Sequence, residues 1–159
     1  MAAHKAALEA RSVAALSRSG YPEPYRARVL PREKRRLGDA FGLTRIGINL
    51  TTLPPGKESS MRHWHTREEE FLYVLEGEVV LRTGAGEQRL TAGMCAGFPA
   101  GLEDGHQLIN RSDRPAVYLE VGNRDPEDTA YYPDPEVDLV HSPPHARGRF
   151  TRRDGTPYE

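Results

Sequence analysis

The stretch His63-Trp64-His65-Thr66-Arg67-Glu68-Glu69-Glu70-Phe71-Leu72-Tyr73-Val74-Leu75-Glu76-Gly77 is the most informative in the chain. Its second half is rich in strand-forming residues and closes on Glu76-Gly77. In an extended chain, residues i and i+2 share a face, so His63 and His65 project side by side while Trp64 packs the other way. Two adjacent imidazoles on an inward face make a poor core, because each needs hydrogen-bond partners. A metal ion satisfies one nitrogen of each ring, and imidazole suits first-row divalent ions. A hairpin carries one of the following carboxylates back toward the imidazoles. Glu68, Glu69 and Glu70 all stand open for that role, and pairing parity is ambiguous near a bend.

Outward from this stretch the chain reads as short strands. Ile46, Ile48 and Leu50 alternate with Gly47 and Asn49. Further strand-like runs cover 61–66, 70–76, 78–83, 87–91, 94–98, 106–110 and 115–122. Turn residues separate them, among them Gly84-Ala85-Gly86, a hairpin turn rather than a phosphate loop, and Pro99-Ala100-Gly101. Many short strands at close spacing predict an all-β sandwich or barrel. His106, after Pro99-Ala100-Gly101 and before Asn110, adds a third imidazole to the strand-rich middle. Three imidazoles and a carboxylate on paired strands form a mixed nitrogen and oxygen site with positions left open.

The remaining sequence bounds the class. At 159 residues, with 37% hydrophobic and 28% charged residues, the chain fits one globular domain. No run approaches the ~20 apolar residues of a membrane span. The Ala-rich start is broken by Lys5, Glu9, Arg11 and Arg18, so no signal-peptide core is expected. The single cysteine, Cys95, excludes an internal disulfide and reads as a small buried residue in a strand. A cytoplasmic location is expected. Charge is uneven: residues 1–45 carry +6, residues 46–124 carry −3 and residues 125–159 carry −4. The basic run Arg32-Glu33-Lys34-Arg35-Arg36 comes with no nucleic-acid-binding motif, which argues against nucleic acid as a partner.

Three segments are expected. Residues 1–40 form an N-terminal helix, over 3–18 by alanine propensity, and an extended arm from 21; residues 41–124 form the barrel. Residues 125–159 form a Pro-rich tail with no regular domain of its own, packing on the barrel or on a partner chain. His141 and His145 in that tail are spaced like metal ligands but lie in a loop. Glu68 is expected to be solvated.

The middle of the chain resembles the cupins. Their first motif is matched by Gly56, His63-Trp64-His65, Glu70 and Gly77, and their second by Gly93, Pro99-Ala100-Gly101, His106 and Asn110. The gap from Gly56 to His63 is one residue longer than usual, and that from Gly101 to His106 two longer, which lengthens a turn. The flanks also resemble a group of small bacterial cupin-domain proteins of unassigned function. The resemblance implies a double-stranded β-helix, or jelly-roll barrel, over roughly residues 45–122. It also implies one divalent metal (Fe, Mn, Zn, Ni or Co) held by His63, His65, Glu70 and His106.

The expected function is a metal-binding cupin acting on a small polar metabolite, with an oxygenase placed ahead of an isomerase or lyase. The alternative is a non-catalytic metal or small-molecule binding module. Glu103, Asp104, Tyr118 and Glu120 are candidate acids or bases, their facing undetermined. A homodimer is expected, with residues 1–40 or 125–159 crossing between chains. The flanks carry Tyr21, Tyr25, Val29, Leu30, Tyr131, Tyr132 and Phe150 without a pattern for a core, and arm and tail have opposite charge.

Overall fold

The alternating runs become strands in a computed structural model, which describes residues 6–142 and 149–158. β1 is Glu33–Arg36, β2 Ile46–Leu53, β3 Trp64–His65, β4 Glu70–Glu76, β5 Glu78–Thr83 and β6 Gly86–Thr91. β7 is Cys95–Phe98, β8 Gln107–Ile109, β9 Ala116–Asn123, β10 Ala130–Tyr131, β11 Val140–Ser142 and β12 Arg149–Thr151. All pair antiparallel, in sheets ordered β1-β2-β9-β4-β7, β6-β5-β8 and β12-β11-β10-β3. The architecture is the all-β jelly-roll barrel. Gly77 turns β4 into β5 with φ of 73°, and a Cβ there would lie 2.9 Å from the carbonyl oxygen of Pro115, so the position requires glycine.

Alternation decides what each strand buries. Leu72 and Val74 of β4, Val79 and Leu81 of β5, and Ala116 and Tyr118 of β9 turn inward with Leu53, Leu90 and Leu108. The opposite parity leaves Phe71, Tyr73 and Leu75 exposed on the outer face of β4. Cys95 lies across from Tyr73 on that outer face and is exposed, so the expectation of a buried thiol is corrected by strand parity. The long strands expected at 61–66 and 106–110 contract to β3 and β8, with His63 and His106 forming an isolated bridge between them.

The flanks depart most from expectation. Among the described residues of the expected helix over 3–18, only a 3₁₀ turn, Ala10–Ser12, is helical. Alanine propensity without an apolar face does not sustain a short helix; Leu16 instead bridges to Lys34. The arm from 21 to 40 is not simply extended. It carries α1 (Tyr25–Val29), β1 on the edge of β2, and α2 (Leu37–Ala40). The tail contributes three short strands to the sheet that contains β3.

Arm and tail meet in a second apolar cluster of Tyr21, Tyr25, Val29, Met61, Ala130, Tyr132, Val137 and Leu139, against which Leu30, Phe150 and Tyr158 pack. The flanks therefore have a core with their own chain, and the burial invoked for a crossing arm is supplied within it. Among the described residues no ion pair joins them. Among the described residues the arm's cations pair with barrel carboxylates, as in Arg28–Glu58 and Lys34–Glu120, or within the arm, as in Arg36–Asp39. His145 lies outside the described residues, and His141 stacks on Phe150.

If the tail is part of the cooperative fold, Leu139→Ala will cost about 2–5 kcal/mol, as for other fully buried leucines. Urea unfolding followed by circular dichroism measures this. A loss below about 1 kcal/mol would show that the tail packs too loosely to matter.

Candidate functional site

His63 and His106 sit directly opposite one another because their backbones exchange hydrogen bonds: His63 N–H donates to His106 O at 3.2 Å, and His106 N–H to His63 O at 2.9 Å. Their rings lie 4.8 Å apart, and His65, two residues along the same strand face, is 4.9 Å from His63. Glu70 enters from the facing sheet, between its strand neighbours Gly122 and Phe98. One carboxylate oxygen, Oε2, lies 2.5 Å from His106 Nε2, 3.4 Å from His65 Nε2 and 3.6 Å from His63 Nε2. The structure thus brings together the four residues singled out in the sequence, and the carboxylate among them is that of Glu70.

The far nitrogens define the protonation of two of the rings. His63 Nδ1 lies 2.8 Å from the carbonyl oxygen of Met61, which can only accept, so Nδ1 carries the proton. His65 Nδ1 donates to Asp128 Oδ2 at 2.6 Å. With neutral rings, Nε2 of His63 and of His65 each turn a lone pair toward Glu70 Oε2, also an acceptor. Lone pairs facing an anion within 4 Å call for a cation between them, a proton or a metal ion. Without a metal, protons take that role. Burial opposes the charged form of His65, but the hydrogen bonds to Asp128 and Glu70 outweigh it and push the ring up to about 10. Burial also opposes ionised Glu70, yet hydrogen bonds from the three imidazoles hold it well below its usual range. Burial moves His106 the other way, downward. Its Nδ1 is buried without a partner among the described residues, and its ring stacks on Phe98 at 3.7 Å.

Asp128 was not among the sequence-derived candidates. It is fully buried, and besides His65 its carboxylate accepts from Arg67 N at 2.7 Å, Glu68 N at 3.0 Å and Thr66 Oγ1 at 3.4 Å. These bonds and the His65 contact outweigh burial and hold Asp128 down at about 2. It closes the β3 turn and orients His65, as carboxylates commonly do behind metal-ligating histidines. Glu68, expected in solvent, is largely buried beside His65 and accepts from Asp125 N. Its correction has the same cause: the returning tail covers this turn.

The acid and base candidates separate by strand parity. Tyr118 and Glu120 face the barrel interior, on the same side of β9 as Gly122 beside Glu70. Lys34 of β1 reaches Glu120 at 2.7 Å, with Asn49 Nδ2 at 3.5 Å from the same oxygen. Burial pulls the Lys34 ammonium down from its usual value against the opposing pull of Glu120. Asp104 lines the mouth with Trp64, Leu102 and Pro99 and accepts from Gly84 N, whereas Glu103 is exposed.

The family model of the cupin domain matches residues 49–122. A crystal structure described as a sugar phosphate isomerase of the cupin superfamily, from Silicibacter pomeroyi, is 42% identical over 96% of this chain and 96% of its own, with a TM-score of 0.89. A second, described as a putative sugar phosphate isomerase from Acidithiobacillus ferrooxidans, is 30% identical over 80% of each chain, with a TM-score of 0.70. The polyketide cyclase RemF from Streptomyces resistomycificus shares the fold, at 18% identity over 75% of this chain and 79% of its own, with a TM-score of 0.62. No curated protein matches the chain.

Removing Asp128 takes the accepting carboxylate from four hydrogen-bond donors, His65 Nδ1 among them. Asp128→Ala will therefore cost metal-free protein about 3–5 kcal/mol in chemical denaturation, the range for breaking a buried charged pair. Asp128→Asn, which keeps an accepting oxygen, will cost less. Equal losses in the two variants would mean that shape rather than the carboxylate matters there.

Proposed function

The chain belongs to the cupin superfamily, and on that premise we propose that it is a metal-dependent isomerase acting on a sugar phosphate. The observation that carries the metal is the convergence of three Nε2 atoms on one carboxylate oxygen. What carries the reaction class is the 42% identity, over nearly the whole length, to a structure described as a sugar phosphate isomerase. That similarity moves the isomerase ahead of the oxygenase favoured by motif alone.

In this reading His63, His65 and His106 bind one divalent first-row ion through Nε2, and Glu70 through a carboxylate oxygen. The donor set fits Fe, Mn, Zn, Ni or Co and does not choose among them. Such an ion, when bound, polarises a carbonyl and so acidifies the C–H beside it. Aldose–ketose exchange moves one hydrogen from C2 to C1 and one between the two oxygens, and so needs no oxidant, reductant or co-reactant. The chain's own contribution is to hold the ligands and to exclude water. Met61 O and Asp128 fix two imidazoles in the Nδ1–H tautomer, and Phe98 holds the third by stacking. Glu120 and Tyr118 face the same interior and offer groups that can accept or donate a proton.

The homodimer belongs to this proposal on a different surface from the flanks. The outer face of β4 exposes Phe71, Tyr73 and Leu75 in a row, an apolar stripe that a second copy would cover. Light scattering at tens of micromolar will give the mass of a dimer, and Tyr73→Glu will halve it; a monomeric wild type refutes the assembly.

Elemental analysis of untagged protein will give about one first-row metal per chain, and His106→Ala will lose most of it. With metal present, aldose phosphates in D₂O will acquire deuterium at C2 and yield the ketose, followed by NMR. Full metal content with neither ketose formation nor exchange across pentose and hexose phosphates would overturn the isomerase and favour the binding module.

A further inference from the structure

The five-stranded sheet presents its inner face in rows set by register. The row at the metal-ligand level is Gly47, Gly122, Glu70 and Phe98. The next is Asn49, Glu120, Leu72 and Ala96, and the one below it is Lys34, Thr51, Tyr118 and Val74. Beneath these the face becomes apolar, with Leu53 and Ala116. A polar band thus lies between the histidine cluster and the apolar floor.

That band is not a closed structural network. Lys34 Nζ spends one of its three donors on Glu120, and the side chains of the pair remain 29% and 25% exposed although both face inward. One row down, Thr51 Oγ1 is fully buried with no hydrogen-bond partner among the described residues, and the buried Tyr118 Oη has only Glu120 to turn to. Buried hydroxyls are almost always satisfied, so an unpartnered hydroxyl beside an accessible ion pair points to a polar guest. A purely structural role is the weaker explanation, because apolar residues of similar volume stabilise a barrel interior at least as well as an ion pair does.

We propose that Lys34, Glu120 and Asn49 form a subsite that binds the hydroxyl groups of a small polyhydroxylated molecule seated against the histidine cluster. The chemistry of the group sets the class. The pair is neutral as a unit, and the nearby Arg32 guanidinium, held by the carbonyl of Ser59, is the further cation beside it. The group juxtaposes donors on Lys34 and Asn49 with an acceptor on Glu120, the combination that neighbouring alcohols satisfy. Two residues along β9 separate Glu120 from Gly122, the partner of Glu70, or about 7 Å. A short sugar chain spans that interval. Gly122 lets β9 approach the Glu69–Glu70 backbone closely: a Cβ there would lie 2.7 Å from the carbonyl oxygen of Glu69 and 3.8 Å from Glu70 Cγ. Lys34 comes from the N-terminal arm, so the arm completes the subsite. A site that hydrogen-bonds substrate hydroxyls discriminates strongly against analogues lacking them.

This inference rests on the isomerase reading for its substrate class, and non-isomerisable probes separate the two. Titration calorimetry of metal-loaded protein with ribitol 5-phosphate and glucitol 6-phosphate measures binding without turnover. Glu120→Gln and Lys34→Met will each weaken the tighter probe at least tenfold with metal content unchanged. The double variant Lys34→Met/Glu120→Leu removes both charges together, so it leaves no unpaired ion in the interior and keeps the fold. It too will bind at least tenfold more weakly, and the corresponding deoxy-polyol phosphates will distinguish wild type from variant poorly. Affinity within twofold of wild type in the double variant overturns the subsite, even if the enzyme isomerises sugar phosphates. No binding of either probe to wild type also overturns it. Probe binding that the variants lose, with neither ketose formation nor deuterium exchange from any aldose phosphate, supports the subsite and refutes the isomerase.

Discussion

Everything at the mouth of this barrel depends on three imidazole nitrogens aimed at one oxygen of Glu70. Two of those rings have their other nitrogen committed as a donor, to Met61 O and to Asp128. The arrangement is therefore electrostatically incomplete with neutral rings, and a positive charge at the centre completes it. Proteins seldom assemble three buried imidazoles around a carboxylate for stability alone, because each ring brings a desolvation cost that apolar packing avoids. The backbone pair between His63 and His106 and the placement of Glu70 on the facing sheet hold the donors in place.

The segments outside the barrel are part of this centre. The tail returns over the β3 turn and supplies Asp128, whose buried carboxylate gathers Thr66, Arg67, Glu68 and His65. The arm adds β1 to the sheet edge and brings Lys34 into the interior. Arm and tail are held to each other by aromatic and aliphatic packing around Tyr21, Tyr132, Val137 and Leu139. The centre thus draws on both ends of the chain, in keeping with a similarity to a solved cupin structure that extends over 96% of the length and beyond the 49–122 core.

Much of this was legible in the sequence, for local reasons. The two-residue alternation in Ile46–Leu53 and Glu70–Glu76 follows from strand geometry, so the strands and their turns could be placed before any contact was known. The resemblance of the segments around His63-Trp64-His65, Glu70 and His106 to the cupin motifs likewise marked the four residues that meet. Where local propensity was the only guide, as in the alanine-rich start, tertiary pairing of Leu16 with Lys34 prevailed.

The sequence by itself determined the all-β class, because periodicity is a property of the chain along its own length, and its resemblance to the cupin motifs marked the four side chains that converge. Only the tertiary structure decided that Asp128 backs His65 across 63 residues, that Lys34 meets Glu120 across 86, and that Cys95 faces outward. Those outcomes depend on register and on which segment covers which face. Neither is encoded in any short window; both follow from burying apolar groups scattered over both ends of the chain.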